Sequence, residues 1–220
     1  MANRTTRRQT GFTLVEIAIV LVIIGLLLGG VLKGQELINS AKSKNFINDF
    51  KSVPLLIYGY QDKFRALPGD DGNAGAHLGA AATLSPTNGT IGNGLIEGNY
   101  NASATTDETV AFWQHVRLAN LAAGPTGFSP PGPDLPVNAS GGRIGVQSAA
   151  PITGMSGSYF VCSDNIQGKF AKQIDITMDD GNTETGSVRT MVAGYAGIAQ
   201  RALPTNGTAD GTPYTVCMSF

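Results

Sequence analysis

The longest apolar run in the chain occupies positions 12–32, where only Thr13 and Glu16 interrupt a hydrocarbon sequence. Wound as an α-helix, those 21 residues would extend roughly 31 Å, about one bilayer core. Past Lys33 the pattern becomes amphipathic. Phe46, Phe50, Val53, Ile57, Tyr60 and Phe64 recur at spacings of four and three, which is one apolar stripe on a helix. Pro54 falls inside that stripe, and because the stripe continues beyond it the proline should bend the helix rather than end it. The pattern therefore predicts a single helix over 13–64. Its first half suits an apolar medium, and its second half forms the spine of a globular head.

The rest of the chain reads as short elements between long loops. A segment dense in Gly, Ala, Asn and Thr follows position 65 without any sustained period, a loop of functional length. Thr105-x-x-Glu108 has the spacing of a capping box, opening the helix "TVAFWQHVRLANLAAG" with Phe112, Trp113, Val116 and Ala119 on its buried face. Gly124-Pro125 would stop it. Strands are expected at 143–147, 158–162, 187–192 and 214–218. Positions 168–178 fit either period, since Ile174, Ile176 and Met178 alternate while Phe170, Ile174 and Met178 share a helical face. A short helix is the favoured reading. The fold class is then α+β, a long helix packed on a small antiparallel sheet.

Composition narrows the function. Charged residues are 14% of the chain and Gly supplies 29 of its 220 residues, a loop-rich chain with less charge than an ordinary soluble domain. The net charge is −1, and no basic-aromatic patch stands out, so nucleic acid is not an expected partner. Arg4, Arg7 and Arg8 precede the apolar run. Without them 12 basic residues face 16 acidic ones, a mildly acidic remainder suited to a solvated exterior. The arginines also hold the N-terminus in the cytoplasm and send the rest of the chain across the membrane. The stretch "LLLGGVLKGQ" lacks the small-residue pattern at which a secretory signal is cut. Cys162 and Cys217 are an even pair in a chain expected outside the cytoplasm, which favours a disulfide. A metal or redox pair would usually be more closely spaced.

Glu16 is the residue that a plain membrane anchor does not need. A carboxylate in the bilayer core costs roughly 2.5–3.5 kcal/mol, less near the interface, and no basic side chain lies within helical reach. A partner arises if the chain is cut after Gly11. The new α-amino group of Phe12 would be a cation at the depth of Glu16, placed to meet the glutamate of a neighbouring copy. Glu16 would then set register between subunits, as single buried polar groups do in coiled coils.

A basic leader, the motif Gly11-Phe12-Thr13-Leu14-Val15-Glu16 and an apolar helix resemble the N-terminus of type IV pilins and of the pseudopilins of type II secretion. The resemblance is specific over residues 1–50 and loose beyond them. It implies that a membrane aspartyl peptidase removes residues 1–11 by cutting between Gly11 and Phe12, and that Phe12 is then N-methylated. It implies that Glu16, with the Phe12 amine, guides docking during homopolymerisation. On this reading residues 12–64 are the long helix, and residues 65–220 form the head with its Cys162–Cys217 bridge. The precursor is expected in the bacterial inner membrane and the product in a cell-surface filament built by pilus or secretion machinery. No proline interrupts the apolar run, as one does in many members of that family. Gly25, Gly29, Gly30 and Gly34 lie there instead, either loosening the helix or permitting close packing. The turn Ala66-Leu67-Pro68-Gly69-Asp70 resembles one found in a subset of large pilin-like proteins.

Other candidate chemistry is weaker. Asp175, Asp179, Asp180, Asn182 and Glu184 crowd one short segment, and hard oxygen ligands at such spacing can hold calcium. The EF-hand spacing is absent, however, and "DDGN" is a strong turn signal, so a solvated turn or a local salt bridge to Arg189 is the favoured reading. "NGTIGNGLIE" has a fainter likeness to a cation loop. His77 and His115 sit in unlike contexts, and no nucleophile or nucleotide-binding glycine pattern is present. No cofactor and no enzymatic activity are expected.

Overall fold

The computed structural model describes Gly11 and residues 13–79, 86–127 and 134–220. The leader arginines and Phe12 lie outside the described residues. The chain forms two compact units, residues 1–41 and 42–220, and helix α1 (Leu14–Phe64) contributes to both.

In the first unit the apolar side chains of α1 are all solvent-facing, from Ile24 at 46% exposure to Leu14 at 91%. That much bare hydrocarbon is stable only when lipid or other helices cover it. Lys33 and Glu36 end the apolar stretch with an exposed ion pair of 2.7 Å.

In the second unit α1 turns the expected stripe inward. Phe46, Phe50, Val53, Ile57 and Tyr60 are buried, and Ile47 joins them. The helix runs through Pro54 to Phe64. A proline removes one backbone donor, while the apolar contacts on either side of it persist. Phe64, the last member of the stripe, is only half-buried and stacks at 5.2 Å on His77 of the short helix α2 (Ala74–Leu78).

Four antiparallel strands, β1 (Ile144–Gln147), β2 (Phe160–Gln167), β3 (Val188–Val192) and β4 (Pro213–Ser219), are ordered β1-β2-β4-β3. Alternation along the strands divides the core in two. Val146, Val161, Val216 and Met218 join the α1 stripe, helix α3 (Glu108–Leu118) and helix α4 (Gly168–Met178) in one cluster. Phe160, Cys162, Met191 and Cys217 form the other with Tyr100, Ile152 and Tyr195 from the loops. The ambiguous segment 168–178 is the helix α4, amphipathic, with Phe170 against Phe46 at 5.6 Å. The long helix on a small antiparallel sheet makes the head α+β.

Strand β2 extends five residues beyond its expected end at Cys162. The added stretch carries a bulge: the register shifts between Ser163 and Ile166, and Asn165 takes φ +56°. Asp164 holds the bulge by accepting from Tyr100 Oη at 2.8 Å and Thr215 Oγ1 at 2.6 Å.

The capping box expected at Thr105–Glu108 does not form. Asp107 is the N-cap of α3, without a side-chain cap bond, so Glu108 is the first helical residue rather than the third. The helix is also buried nearly all round, since every residue from Glu108 to Arg117 is inaccessible, whereas the sequence suggested one face.

The loop before α3 is fastened by the turn after α1. Gly69 has φ +91°, and a Cβ there would lie 2.5 Å from the Glu108 carbonyl, so only glycine fits. Its N–H donates to His115 Nδ1 at 3.0 Å, making His115 a fully buried structural acceptor. Asp70 accepts the N–H groups of Gly92 and Gly94. Asp71 accepts Tyr60 Oη at 2.7 Å and pairs with His77 Nδ1 at 2.7 Å.

Candidate assembly site at the N-terminus

Of the assembly residues expected from the sequence, Gly11 and Glu16 are described, and they lie at the start of α1. Gly11 is exposed, and a Cβ added to it would meet nothing within 4 Å. The chain's own packing therefore does not require glycine at that position. Thr13 sits just ahead of α1, and Glu16 is its third residue. Glu16 Oε2 accepts the Thr13 N–H at 2.8 Å and the Thr13 hydroxyl at 2.7 Å. In return Thr13 Oγ1 accepts the Glu16 N–H at 3.3 Å. That reciprocal pair is a capping box. It satisfies two orphan donors at a helix end and places a carboxylate where the helix dipole favours it.

The partners that Glu16 finds within its own helix are the uncharged groups of Thr13, not a basic side chain. The signal was present in "TLVE", the same S/T-x-x-E spacing assigned to Thr105–Glu108. The contacts that hold Glu16 come from uncharged donors, so its charge is solvated in part but not neutralised. A cation brought to this position would still be attracted.

Residues 6–32 match the family model of the prokaryotic N-terminal methylation motif. The N-terminus is that of a type IV pilin-like prepilin. No curated protein matches the chain. The motif indicates a structural protein rather than an enzyme. Helix α1 is long and apolar enough to cross a membrane. This fits an inner-membrane precursor that prepilin peptidase would process. The match ends at Leu32, so what the head does has to be read from the head itself.

The two cysteines are bonded. Cys162 on β2 lies opposite Cys217 on β4, and their Sγ atoms are 2.10 Å apart. The bridge ties the C-terminal strand to the centre of the sheet, between two buried residues.

The acidic segment of the head is a turn with one unsatisfied member. Asp179 accepts the Val188 N–H at 2.8 Å, and Asp180 accepts from Asn182 N–H at 2.9 Å and Thr185 Oγ1 at 2.7 Å. Arg189 donates to the carbonyls of Gly186 and Thr153, so of the two turn readings the one with a salt bridge to Arg189 is not formed. Glu184 pairs with Arg201 instead, at 3.4 Å. Among the described residues, no group of three or more Asp, Glu, His or Cys side chains is arranged to hold a metal.

Asp175 is fully buried, and neither of its carboxylate oxygens has a hydrogen-bond partner. Burial pushes its carboxyl up to about 6, repulsion from Asp180 and Asp179 adds to this, and the dipoles of the Gly181 and Asn182 N–H groups offset it in part. A carboxyl whose folded-state value is raised contributes fully at low pH and loses that contribution as pH rises through the folded value. The penalty above pH 7 is on the order of 2–3 kcal/mol. Asp175→Asn should thus match the wild type near pH 4 and exceed it in thermal stability at pH 8. Unfolding curves of both chains in EDTA across that range test this. A less stable variant at pH 8 would show that the ionised carboxylate is needed.

A cavity of about 740 Å³ is lined in part by Phe64, Arg65, Asp71, His77 and Tyr159. Burial pushes the Asp71 carboxyl up, but the hydrogen bonds from His77, Tyr60 and Asn73 outweigh this and hold it below the usual range. This network locks the turn after α1.

Proposed function

We propose that the chain is a structural subunit of a type IV pilus-like filament, cut after Gly11, methylated on Phe12 and polymerised through the helix over 12–32. The observation that carries this reading is the joining of a methylation motif to a helix whose apolar residues are all exposed and whose start bears one carboxylate. Apolar helices that shed lipid for one another bury that surface in a filament core and leave the heads outside. Gly25, Gly29, Gly30 and Gly34 support the same reading, since an added Cβ at any of them meets nothing within 4 Å of this chain. Glycines cost roughly 1 kcal/mol each in a helix relative to alanine, a cost that neighbouring helices would repay by close approach.

Docking follows from charge. The Phe12 amine of an incoming subunit would displace the weaker Thr13 donors and pair with Glu16 of its neighbour, neutralising both groups in an apolar core. The head's long loops and its disulfide favour a pilus subunit over a secretion pseudopilin.

Mass spectrometry of the N-terminal peptide, from membranes and from sheared surface material, tests the proposal. A chain beginning at Phe12 and heavier by one methyl, present in the sheared fraction, is expected. A chain still beginning at Met1 in cells with active prepilin peptidase would overturn the reading. It would favour a membrane-anchored binding protein that never polymerises.

A further inference from the structure

The head contains a second buried carboxylate with an open valence, and its surroundings differ from those of Asp175. Glu108 opens α3 and is fully buried. One of its oxygens, Oε2, accepts the Glu97 N–H at 2.7 Å, while Oε1 has no hydrogen-bond partner. Oε1 points at Gly89, where an added Cβ would lie 2.8 Å from it and 2.9 Å from Glu97 Oε2. Two carboxylates thus face a common point in the loop 88–97, with Asp70 a third acid close enough to repel Glu108.

Among the described residues, no ion pair joins a cationic side chain to these acids. The ion pairs among the described residues involve Lys33, Arg65, His77, Lys172 and Arg201, none of them with Asp70, Glu97 or Glu108. The loop compensates only partly. Gly89, Gly92 and Gly94 have positive φ, and the loop's donors turn toward Asp70 and Glu97: the N–H groups of Gly92 and Gly94 donate to Asp70, and the Thr90 N–H and Asn93 Nδ2 donate to Glu97 Oε2, donors that a bound ion would displace. Glu108 Oε1 is the acceptor left over. Leaving a buried charge without a partner costs several kcal/mol.

We propose that a hard divalent cation, of the calcium or magnesium class, binds between Glu108 Oε1 and Glu97 Oε2 and clasps the loop 88–97 onto α3. Glu108 supplies the buried ligand and Glu97, half-buried, the one nearer solvent. Gly89 is exposed, so the ion reaches the site from outside and fills its remaining positions with water. The acids suit hard ions because their ligands are oxygens. With only two side-chain ligands the affinity falls in the weak range of extracellular sites, on the order of 10⁻⁴–10⁻³ M. The site belongs to the head alone and does not depend on whether the chain polymerises.

The test is thermal unfolding of the full chain in detergent micelles, in EDTA and in about 5 mM calcium chloride, followed by near-UV circular dichroism. Calcium should raise the wild-type midpoint by about 3–5 °C. Glu108→Gln and Glu97→Gln should each remove the rise, and Asp180→Asn should retain it. Glu97→Gln, at the solvent-facing ligand, serves if the buried substitution impairs folding. A wild type indifferent to both calcium and magnesium would overturn the proposal. So would a rise that survives both glutamine variants and disappears in Asp180→Asn, because the ion would then sit in the other acidic loop. A midpoint that ignores both ions but falls as pH rises through 7, unless Glu108 is glutamine, would also overturn it. The compensating species would then be a proton.

Discussion

Glu16→Val will leave the precursor in the membrane and reduce its amount in sheared surface filaments at least tenfold. The substitution removes a carboxylate from an apolar segment, which favours insertion by up to about 3 kcal/mol. A loss of filaments therefore cannot be put down to poorer anchoring. It also removes the capping box with Thr13, worth about 1 kcal/mol, which frays one turn of a 51-residue helix. Glu16→Gln separates the two roles. Glutamine can still accept from Thr13 but carries no charge for a neighbour's amine, so it too should block assembly if charge pairing sets the docking. Immunoblots of membrane and sheared fractions from both variants are the measurement. Normal filaments from Glu16→Val would remove the proposed role of this residue.

Reducing the Cys162–Cys217 bridge, or replacing both cysteines with alanine, should lower the thermal midpoint of the head by roughly 10–15 °C. The bridge closes a loop with a sequence separation of 55, and the lost restraint on the unfolded chain corresponds to about 4 kcal/mol. Both side chains are fully buried beside Phe160 and Met191, so the double-alanine variant also loses packing. The two treatments can be told apart. Reductant should shift the wild type and have no effect on the double variant. A wild-type shift below about 2 °C under full reduction would show that packing alone secures β4 against β2.

Much of the N-terminal half was legible because its signals are local. A run of hydrocarbon over 12–32 needs no tertiary context to specify a helix, and neither does the stripe from Phe46 to Tyr60. The two cysteines could be paired because only one pairing exists. The capping boxes show where local reading fails. Thr13-x-x-Glu16 and Thr105-x-x-Glu108 have the same spacing, yet only the first forms. At the second, Glu108 is drawn into the interior by the Gly69 turn and the Glu97 N–H, and the helix starts two residues later than the motif suggests. β2 ran past its expected end for a similar reason. The bulge at Asn165 is held by Tyr100 and Thr215, residues 64 and 51 positions from Asp164.

The sequence by itself determined the membrane-length helix, the position of Glu16 on it and the α+β class of the head, since each rests on periodicity or on residue chemistry within a few turns. Only the tertiary structure decided which acids are buried and which are answered. Asp70 and Asp71 are satisfied by loop N–H groups, a tyrosine and a histidine; Asp175 and Glu108 are left with unpaired oxygens. Those outcomes depend on chain segments that meet only after folding, and the solvation of a charge is fixed by what surrounds it in space rather than by what precedes it in the chain.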